Sequence, residues 1–180
     1  ILKRPILFFF ALLLTGAANL RLCCRLELDG RQLGGLYSLR SAAAGERTAQ
    51  RAAEEIMPGD AETPRFARRY CLSLSHPSSD VSVLTDALLC ATPGISSACE
   101  VRANGERLGC VESRAILLER LHEYLYTRLP DGVSAARLDC TMDLDGVYTR
   151  SALVSGYCEM LERITGAVPV IYTLDWAQSA

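Results

Sequence analysis

Few side chains in this sequence have the types and spacing that catalysis requires. The densest acidic group comprises Glu112, Asp139, Asp143 and Asp145, and carboxylates of this kind can act in general acid–base catalysis. His76 and His122 are the only histidines, and no HxH or HExxH motif is present, so the sequence lacks the ligands of a zinc hydrolase centre. Residues 143–146 are similar to part of a calcium loop, but the acid at the twelfth position is missing. We predict no catalytic, cofactor-binding or metal site, and we interpret the acidic group as a solvated face.

The eight cysteines allow two interpretations. Cys71 with Cys90, and Cys140 with Cys158, occupy matching places in the two halves of the chain. A disulfide in either pair would close a loop of roughly 19 residues and stabilise the fold by on the order of 3 kcal/mol. Alternatively, the thiols serve as small buried apolar groups, and we favour this interpretation. The remaining cysteines are Cys23, Cys24, Cys99 and Cys110. They have no CxxC spacing, so they form neither a zinc ribbon nor a thioredoxin motif.

The sequence contains a duplicated block. Superimposing Gly30 on Gly105 aligns residues 24–38 with residues 99–113, and the aligned pairs include two cysteines, two serines and two Leu-Gly steps. The Leu-Gly steps end at Gly34 and Gly109. Asp29-Gly30 and Asn104-Gly105 each lie between alternating apolar residues, which is the pattern of a β-hairpin with a type I′ turn. Both halves are therefore predicted to begin with a hairpin.

The hydrophobic periodicity predicts the same element order after each hairpin. Alanine and charged residues at 41–56 indicate an exposed or weakly packed helix, whereas residues 113–129 form a more amphipathic helix capped by Ser113. Strands at 66–74 and 136–144 and closing helices at 81–91 and 151–164 complete the pattern. The fold class is therefore α+β, with two tandem β-β-α-β-α modules. The predicted boundaries are 23–94 and 95–166, and residues 167–180 are expected to start a further, truncated module.

The N-terminal segment predicts export. Lys3-Arg4 precede an apolar run at 5–18 that contains small residues near its end, as in a secretory signal peptide. We assign residues 1–22 to a cleaved signal peptide or an uncleaved signal anchor, and the alternative is a buried helix of a cytosolic domain. The net charge of −2 offers no electrostatic basis for binding nucleic acid. An apolar content of 49% excludes disorder as the main state.

Five tyrosines in the second half offer a candidate binding surface. Aromatic rings of this kind could line a glycan-binding face, or they could lie at the edge of an ordinary core. These residues are Tyr124, Tyr126, Tyr148, Tyr157 and Tyr172. Their spacing does not distinguish between the two interpretations.

The repeated motifs resemble those of a known family. Leu28-Asp29-Gly30 with Leu33-Gly34, and Ala103-Asn104-Gly105 with Leu108-Gly109, are similar to the N-terminal non-catalytic repeat region of clostridial-type, membrane-tethered peptidoglycan endopeptidases. These enzymes belong to the lysostaphin-like zinc metallopeptidase family. The resemblance implies that a wall-associated module or LysM repeat and a zinc-dependent catalytic domain follow. The family's catalytic histidine motifs have no counterpart here, so no catalytic residue or zinc ligand is transferred to this chain.

Three functions follow from these observations. The first is an extracytoplasmic spacer and interaction region of a wall metalloendopeptidase whose catalytic domain is missing from this chain. Its expected partners are peptidoglycan or cell-wall proteins, and its N-terminal segment would contact the membrane. The second is a free-standing secreted module that binds the cell wall or acts in the spore envelope. The third is a small enzyme built on the acidic group, for which a solvated face is the better explanation. The expected location is secreted or membrane-anchored on the extracytoplasmic face.

Overall fold

The computed structural model describes residues 20–174, and the chain divides between Pro93 and Gly94 into two units. The N-terminal segment predicted at 1–22 lies outside the described residues as far as residue 19, and its last two residues belong to the first strand of the sheet. Between residues 20 and 174, we find no helix that is both long and apolar enough to cross a membrane.

The first unit contains one antiparallel sheet with a long central strand. Strand β1 (Arg21–Leu28) turns into the short β2 (Arg31–Gln32), and β3 (Tyr37–Ser38) and β4 (Ala67–Ser73) follow. β4 pairs along almost the whole of β1, whereas β2 and β3 pair with its two ends. Because each strand edge accepts one partner at a given position, β2 and β3 share the edge of β1 that is opposite β4.

Two helices pack together in the first unit. Helix α1 (Leu39–Ile56) is capped by Ser38, whose hydroxyl accepts a hydrogen bond from the backbone N–H of Ser41, and α2 (Val81–Ala91) is capped by Asp80. The buried face of α1 consists of small residues: Ser41, Ala42, Gly45, Ala49 and Ala53. The prediction of a weakly packed helix is therefore wrong. Because these side chains are small, α2 approaches α1 closely. A helix face of small side chains is thus buried here although it contributes little apolar volume.

The second unit has a three-stranded antiparallel sheet in the order β6-β5-β8. These strands are β5 (Ile95–Ala103), β6 (Glu106–Val111) and β8 (Met142–Arg150), and β5 pairs with β8 along its full length. A separate two-stranded sheet joins β7 (Val133–Leu138) to β9 (Val170–Leu174). The central strand is therefore β5. Its hairpin partner β6 lies on one side, and the later strand β8 lies on the other.

Helices α3 (Arg114–Thr127) and α4 (Tyr157–Ala167) cover one face of this sheet, and a 3-10 turn (Ser151–Leu153) precedes α4. Ser113 caps α3 by accepting a hydrogen bond from the backbone N–H of Ile116. Leucines from α3 and aliphatic side chains from α4 bury the inner face of β5 and β6. This core comprises Cys99, Val101, Val111, Leu117, Leu121, Met160, Leu161 and Ile164.

The mixed helices and strands confirm the α+β class, but the closing helix predicted at 151–164 begins only at Tyr157, after the 3-10 turn Ser151–Leu153. Two predicted strands also differ in the structure. The single strand predicted at 136–144 is two strands, β7 and β8, which belong to different sheets. The extended segment predicted to open a further module instead forms β9, which pairs with β7 of the second unit. Both differences have one cause, because strand pairing partners are chosen by tertiary contacts that a local pattern does not encode.

The close contact between α1 and α2 yields a test. A Cβ atom built on Gly45 would lie 2.8 Å from Cβ of Leu84, whereas Gly166 in α4 has open space around it. Gly45→Ala should therefore destabilise the chain by about 1–3 kcal/mol through overpacking, despite the better helix propensity of alanine. Gly166→Ala should be neutral or stabilise by up to about 1 kcal/mol. Urea unfolding followed by circular dichroism measures both, and a stabilised Gly45→Ala variant would contradict the described helix contact.

Candidate functional site

Both predicted turns are present as tight hairpin turns. Asp29 and Gly30 have φ angles of 50° and 77°, and Asn104 and Gly105 have φ angles of 51° and 82°. Positive φ at both central residues defines the type I′ geometry, which asparagine, aspartate and glycine tolerate best. The side-chain oxygen of Asn104 also accepts a hydrogen bond of 3.0 Å from the backbone N–H of Thr141. These residues shape the hairpins and carry no chemistry.

The two Leu-Gly glycines, aligned in sequence, have different structural roles. Gly109 has a φ angle of 145°, and an added Cβ would lie 2.9 Å from Cε of Met160 and 2.9 Å from a guanidinium nitrogen of Arg163. Gly34 has no atom within 4 Å of the same position. Gly109 therefore permits α4 to pack directly on β6, whereas Gly34 lies in an open loop.

The strongest electrostatic feature of the second unit is a buried carboxylate. Glu100 on β5 is only 8% exposed, and its two carboxylate oxygens contact Arg102 at 2.5 Å and Arg107 at 2.7 Å. A buried charge is tolerated when it is paired and hydrogen-bonded in this way. The sequence patterns did not predict this cluster. The signal available in the sequence was the Glu-x-Arg spacing, because it places both side chains on one face of a strand.

The same cluster includes a thiol. Arg107 donates a hydrogen bond of 3.6 Å to Sγ of Cys110, and Cys110 lies opposite Glu100 across the β5–β6 pair. The hydrogen bond to Cys110 and, next, the carboxylate of Glu100 raise the pKa of Arg107. Arg107 therefore stays charged. Cys110 itself is 1% exposed, and a thiol so inaccessible is poorly placed to act as a nucleophile.

A cleft of about 470 Å³ lies beside this cluster, between β6 and the beginning of α4. Arg107 and Cys110 line one side, and Gly156, Glu159 and Arg163 line the other. Arg163 donates to the backbone carbonyl of Leu108 at 3.0 Å and pairs with Glu159 at 2.6 Å. Both arginines of the cleft are thus already bound to partners within the protein, so the cleft is a polar surface depression whose charged groups are engaged in internal contacts.

The predicted acidic residues do not form one site. Asp143 and Asp145 lie on the same face of β8, opposite Arg102 and Glu100 respectively. Asp139 follows β7, and Glu112 follows β6. Within residues 20–174, no three His, Cys, Asp or Glu side chains come together in a way that could hold a metal ion. The arrangement is a charged strand surface.

The histidines and tyrosines are distributed over several elements. His76 follows β4, and His122 on α3 packs its ring 4.3 Å from that of Tyr126. The guanidinium of Arg128 lies 4.1 Å from the ring centre of Tyr124. Tyr124 and Tyr157 pack against the core, whereas Tyr126 on α3 and Tyr172 on β9 are roughly half exposed. Tyr148 lies on β8. The tyrosines therefore divide between core edge and surface.

Neither of the two possible disulfides is formed. Cys71, Cys140 and Cys158 are free thiols, so Cys71 does not bridge to Cys90, and Cys140 does not bridge to Cys158. The expected equivalence of Cys71 and Cys140 is also absent, because Cys71 lies within β4 and Cys140 lies in the connection between β7 and β8. Cys90 and Cys158 are exposed on their helices. The buried apolar role belongs instead to the other four cysteines: Cys23, Cys24, Cys99 and Cys110.

Burial controls the ionisation of several thiols. It is the largest cause that raises the pKa of Cys24, Cys99 and Cys140 above the usual value. For Cys140, the nearby carboxylate of Asp139 adds to the effect. Because the thiolate is the reactive form, these three cysteines are protonated at neutral pH and are not activated nucleophiles.

Comparison of the chain with protein-family models, with curated proteins and with solved structures gives no match. Function is therefore inferred from the geometry described above and from the sequence motifs.

The contrast between Gly109 and Gly34 is testable. Gly109→Ala places a methyl group against α4 at a φ angle that side chains rarely adopt, so we expect a loss of about 1–3 kcal/mol in the free energy of unfolding. Gly34→Ala should change it by less than about 0.5 kcal/mol. Thermal or urea unfolding of the two variants measures this difference. Equal stability of both variants would contradict the packing of α4 on β6.

Thiol labelling tests the burial of the cysteines. Under native conditions without reductant, iodoacetamide should modify Cys158 and Cys90 first, because both are exposed. Cys24, Cys99 and Cys110 should react only after unfolding, because burial hinders access and a raised pKa, where present, reduces the thiolate fraction. Peptide mass spectrometry after timed labelling identifies the order. Rapid native labelling of Cys99 would refute the described core.

Proposed function

We propose that this chain is a non-catalytic, extracytoplasmic spacer and interaction region of a cell-wall peptidoglycan metalloendopeptidase. The observation that carries the proposal is the strand pairing common to the two units. β1 pairs with β2 and β4 in the first unit, as β5 pairs with β6 and β8 in the second. Function resides in particular sites of a fold. A repeated unit whose polar groups are engaged in internal contacts is suited to spacing and adhesion.

The polar groups near the main cleft support this interpretation. The carboxylate of Glu100 is neutralised by two arginines, and Arg163 connects α4 to the backbone of β6. A catalytic group needs a free lone pair or a proton to exchange at a reachable position. Because these side chains are committed to internal contacts, they stabilise the unit and are not available for a reaction.

The sequence motifs supply the family and the location. Type I′ hairpins followed by Leu-Gly steps occur in both units, and they are the motifs that resemble the repeat region of the endopeptidases. The basic and apolar residues at 1–18 are those of an export signal. Zinc would belong to the catalytic domain of the larger protein, and none of the residues described above is proposed as its ligand.

The native size of the protein tests this proposal. An antibody raised against residues 20–174 should detect a polypeptide much heavier than 19.6 kDa in the envelope fraction of the source cells. Mass spectrometry of that band should identify peptides of a zinc metallopeptidase domain in the same polypeptide. A native band of the mass of this chain alone, or a band confined to the cytosol, would refute the proposal.

A free-standing secreted module that binds cell-wall glycans is the second candidate. The half-exposed rings of Tyr126 and Tyr172 favour it, because tyrosine presents an apolar ring and a polar hydroxyl at wet binding surfaces. In that case the chain should sediment with purified peptidoglycan. The double variant Tyr126→Ala/Tyr172→Ala should lose most of that binding, whereas Tyr70→Ala, which removes an exposed ring from the first unit, should retain it. Equal binding by the two variants would exclude this tyrosine surface.

A further inference from the structure

One end of the sheet in the first unit exposes an unusual set of large apolar side chains. Leu22 on β1 lies directly opposite Leu72 on β4, and the next opposite pair on the same face is Cys24 with Tyr70. Leu20 and Leu74 immediately flank the two strands. The exposed fractions range from 44% to 66% for the five residues that we call the apolar strand end: Leu20, Leu22, Tyr70, Leu72 and Leu74.

The apolar strand end continues the face that is buried elsewhere in the unit. Cys24 and Leu26 follow Leu22 on this face of β1, because alternate residues of a strand point the same way, and both are fully buried. Glu46 of α1 reaches this face of β4 at Arg68, where the two side chains form an ion pair. Beyond that contact, the β4 side chains on this face, Tyr70 and Leu72, are exposed. Contiguous exposed apolar surface of this kind marks an interaction site.

The opposite face of the same strands is basic. Arg25 lies directly opposite Arg69, and Arg21 is on the same face two positions beyond Cys23. Like charges that face each other across a strand pair destabilise the sheet, and the nearby acid is Glu27, which approaches Arg69 at 3.4 Å. The side chain of Arg69 is 80% exposed. This end of the sheet therefore combines apolar side chains with exposed cations.

The position of this surface in the chain identifies what covers it. Leu20 follows the apolar run at 5–18 by only one residue. Two residues span at most about 7 Å. If residues 1–18 hold the protein at a membrane, then the end of the sheet that contains Leu20, Leu22 and Leu72 must lie at the bilayer surface. The hairpin turn at Asp29-Gly30 is at the other end of β1, roughly 23 Å away at the usual rise of a strand.

We propose that the apolar strand end docks into the interface of a bilayer that contains anionic lipids. Leucine side chains of the strand end enter the boundary between headgroups and acyl chains, and the ring of Tyr70 lies at headgroup level, where tyrosine is favoured. Arg21 and Arg69 attract the lipid phosphates, as basic residues near a membrane do. This inference rests on the proposed function, because it requires the membrane tether. Its consequence is a first unit held against the membrane in one orientation.

Tryptophan fluorescence in reconstituted vesicles tests the docking. The full chain with its single tryptophan removed (Trp176→Phe) is the background for Tyr70→Trp and for the control Gln32→Trp, an exposed residue of β2 near the hairpin turn. Vesicles of phosphatidylcholine and phosphatidylglycerol carry a spin label on a fraction of their headgroups. We expect Tyr70→Trp to shift to shorter wavelength and to lose at least half of its emission, and Gln32→Trp to remain unquenched.

A second variant tests the apolar contact itself. Adding Leu22→Ser and Leu72→Ser to Tyr70→Trp should abolish most of the quenching, and circular dichroism checks that this variant folds. Replacing phosphatidylglycerol by phosphatidylcholine should reduce the quenching of Tyr70→Trp, because the arginines then lose their anionic partners. Undiminished quenching after the double serine substitution would show that the strand end does not make the contact.

Flotation of the same vesicles distinguishes a failure of the membrane tether from a failure of the docking. If the full chain does not float with vesicles, the membrane tether of the proposed function is refuted, and the docking with it. If the chain floats but Tyr70→Trp is not quenched, the docking alone is overturned and the tether remains. A blue shift without quenching, together with the mass of a dimer by light scattering in detergent, would assign the strand end to a second copy of this chain and would also overturn the docking.

Discussion

The pairing of each unit's first strand with a strand that follows its first helix holds the fold together. β1 accepts β4 along almost its whole length, and β5 accepts β8 in the same antiparallel manner. The second strand of the hairpin at the start of each unit pairs with the other edge of that first strand. A two-stranded hairpin alone is marginally stable in water, so the returning strand converts it into a sheet that can support helices. In the second unit, the core residues of α3 and α4 pack on this sheet.

Helix packing on these sheets depends on two places where a side chain is missing. Gly45 allows Leu84 of α2 to approach α1, and Gly109 allows Met160 of α4 to approach β6. Protein interiors are packed as densely as organic crystals, so a methyl group on Gly45 would overlap Cβ of Leu84. At Gly109 the neighbouring atoms are the ends of flexible side chains, and the φ angle of 145° is what disfavours any side chain there. The second unit adds an electrostatic element, because Glu100 is buried between two arginines on the face of the sheet opposite to its apolar core. These ion pairs connect β5 to β6 and occupy the charged group that Arg107 presents at the adjacent cleft.

These constraints together favour a structural role for the chain. In the second unit, Glu100 and the two arginines of the main cleft are paired internally, and Cys99 and Cys110 are buried. What the first unit leaves unsatisfied is apolar surface at the strand end, beside exposed arginines. Unsatisfied apolar surface promotes association, and its place next to the predicted export segment connects the proposed spacer role to a membrane surface. Adhesion and positioning are the properties that this distribution of groups supports.

The sequence by itself determined the local features: the α+β class, the type I′ turns at Asp29-Gly30 and Asn104-Gly105, and the Ser113 cap of α3. These follow from backbone preferences of a few neighbouring residues. Tertiary structure alone decided which strands pair, so residues 136–144 became parts of two sheets and β9 paired with β7. It also decided that the small residues of α1 are buried. Those outcomes depend on contacts between residues distant in sequence, and local periodicity contains no information about the partner.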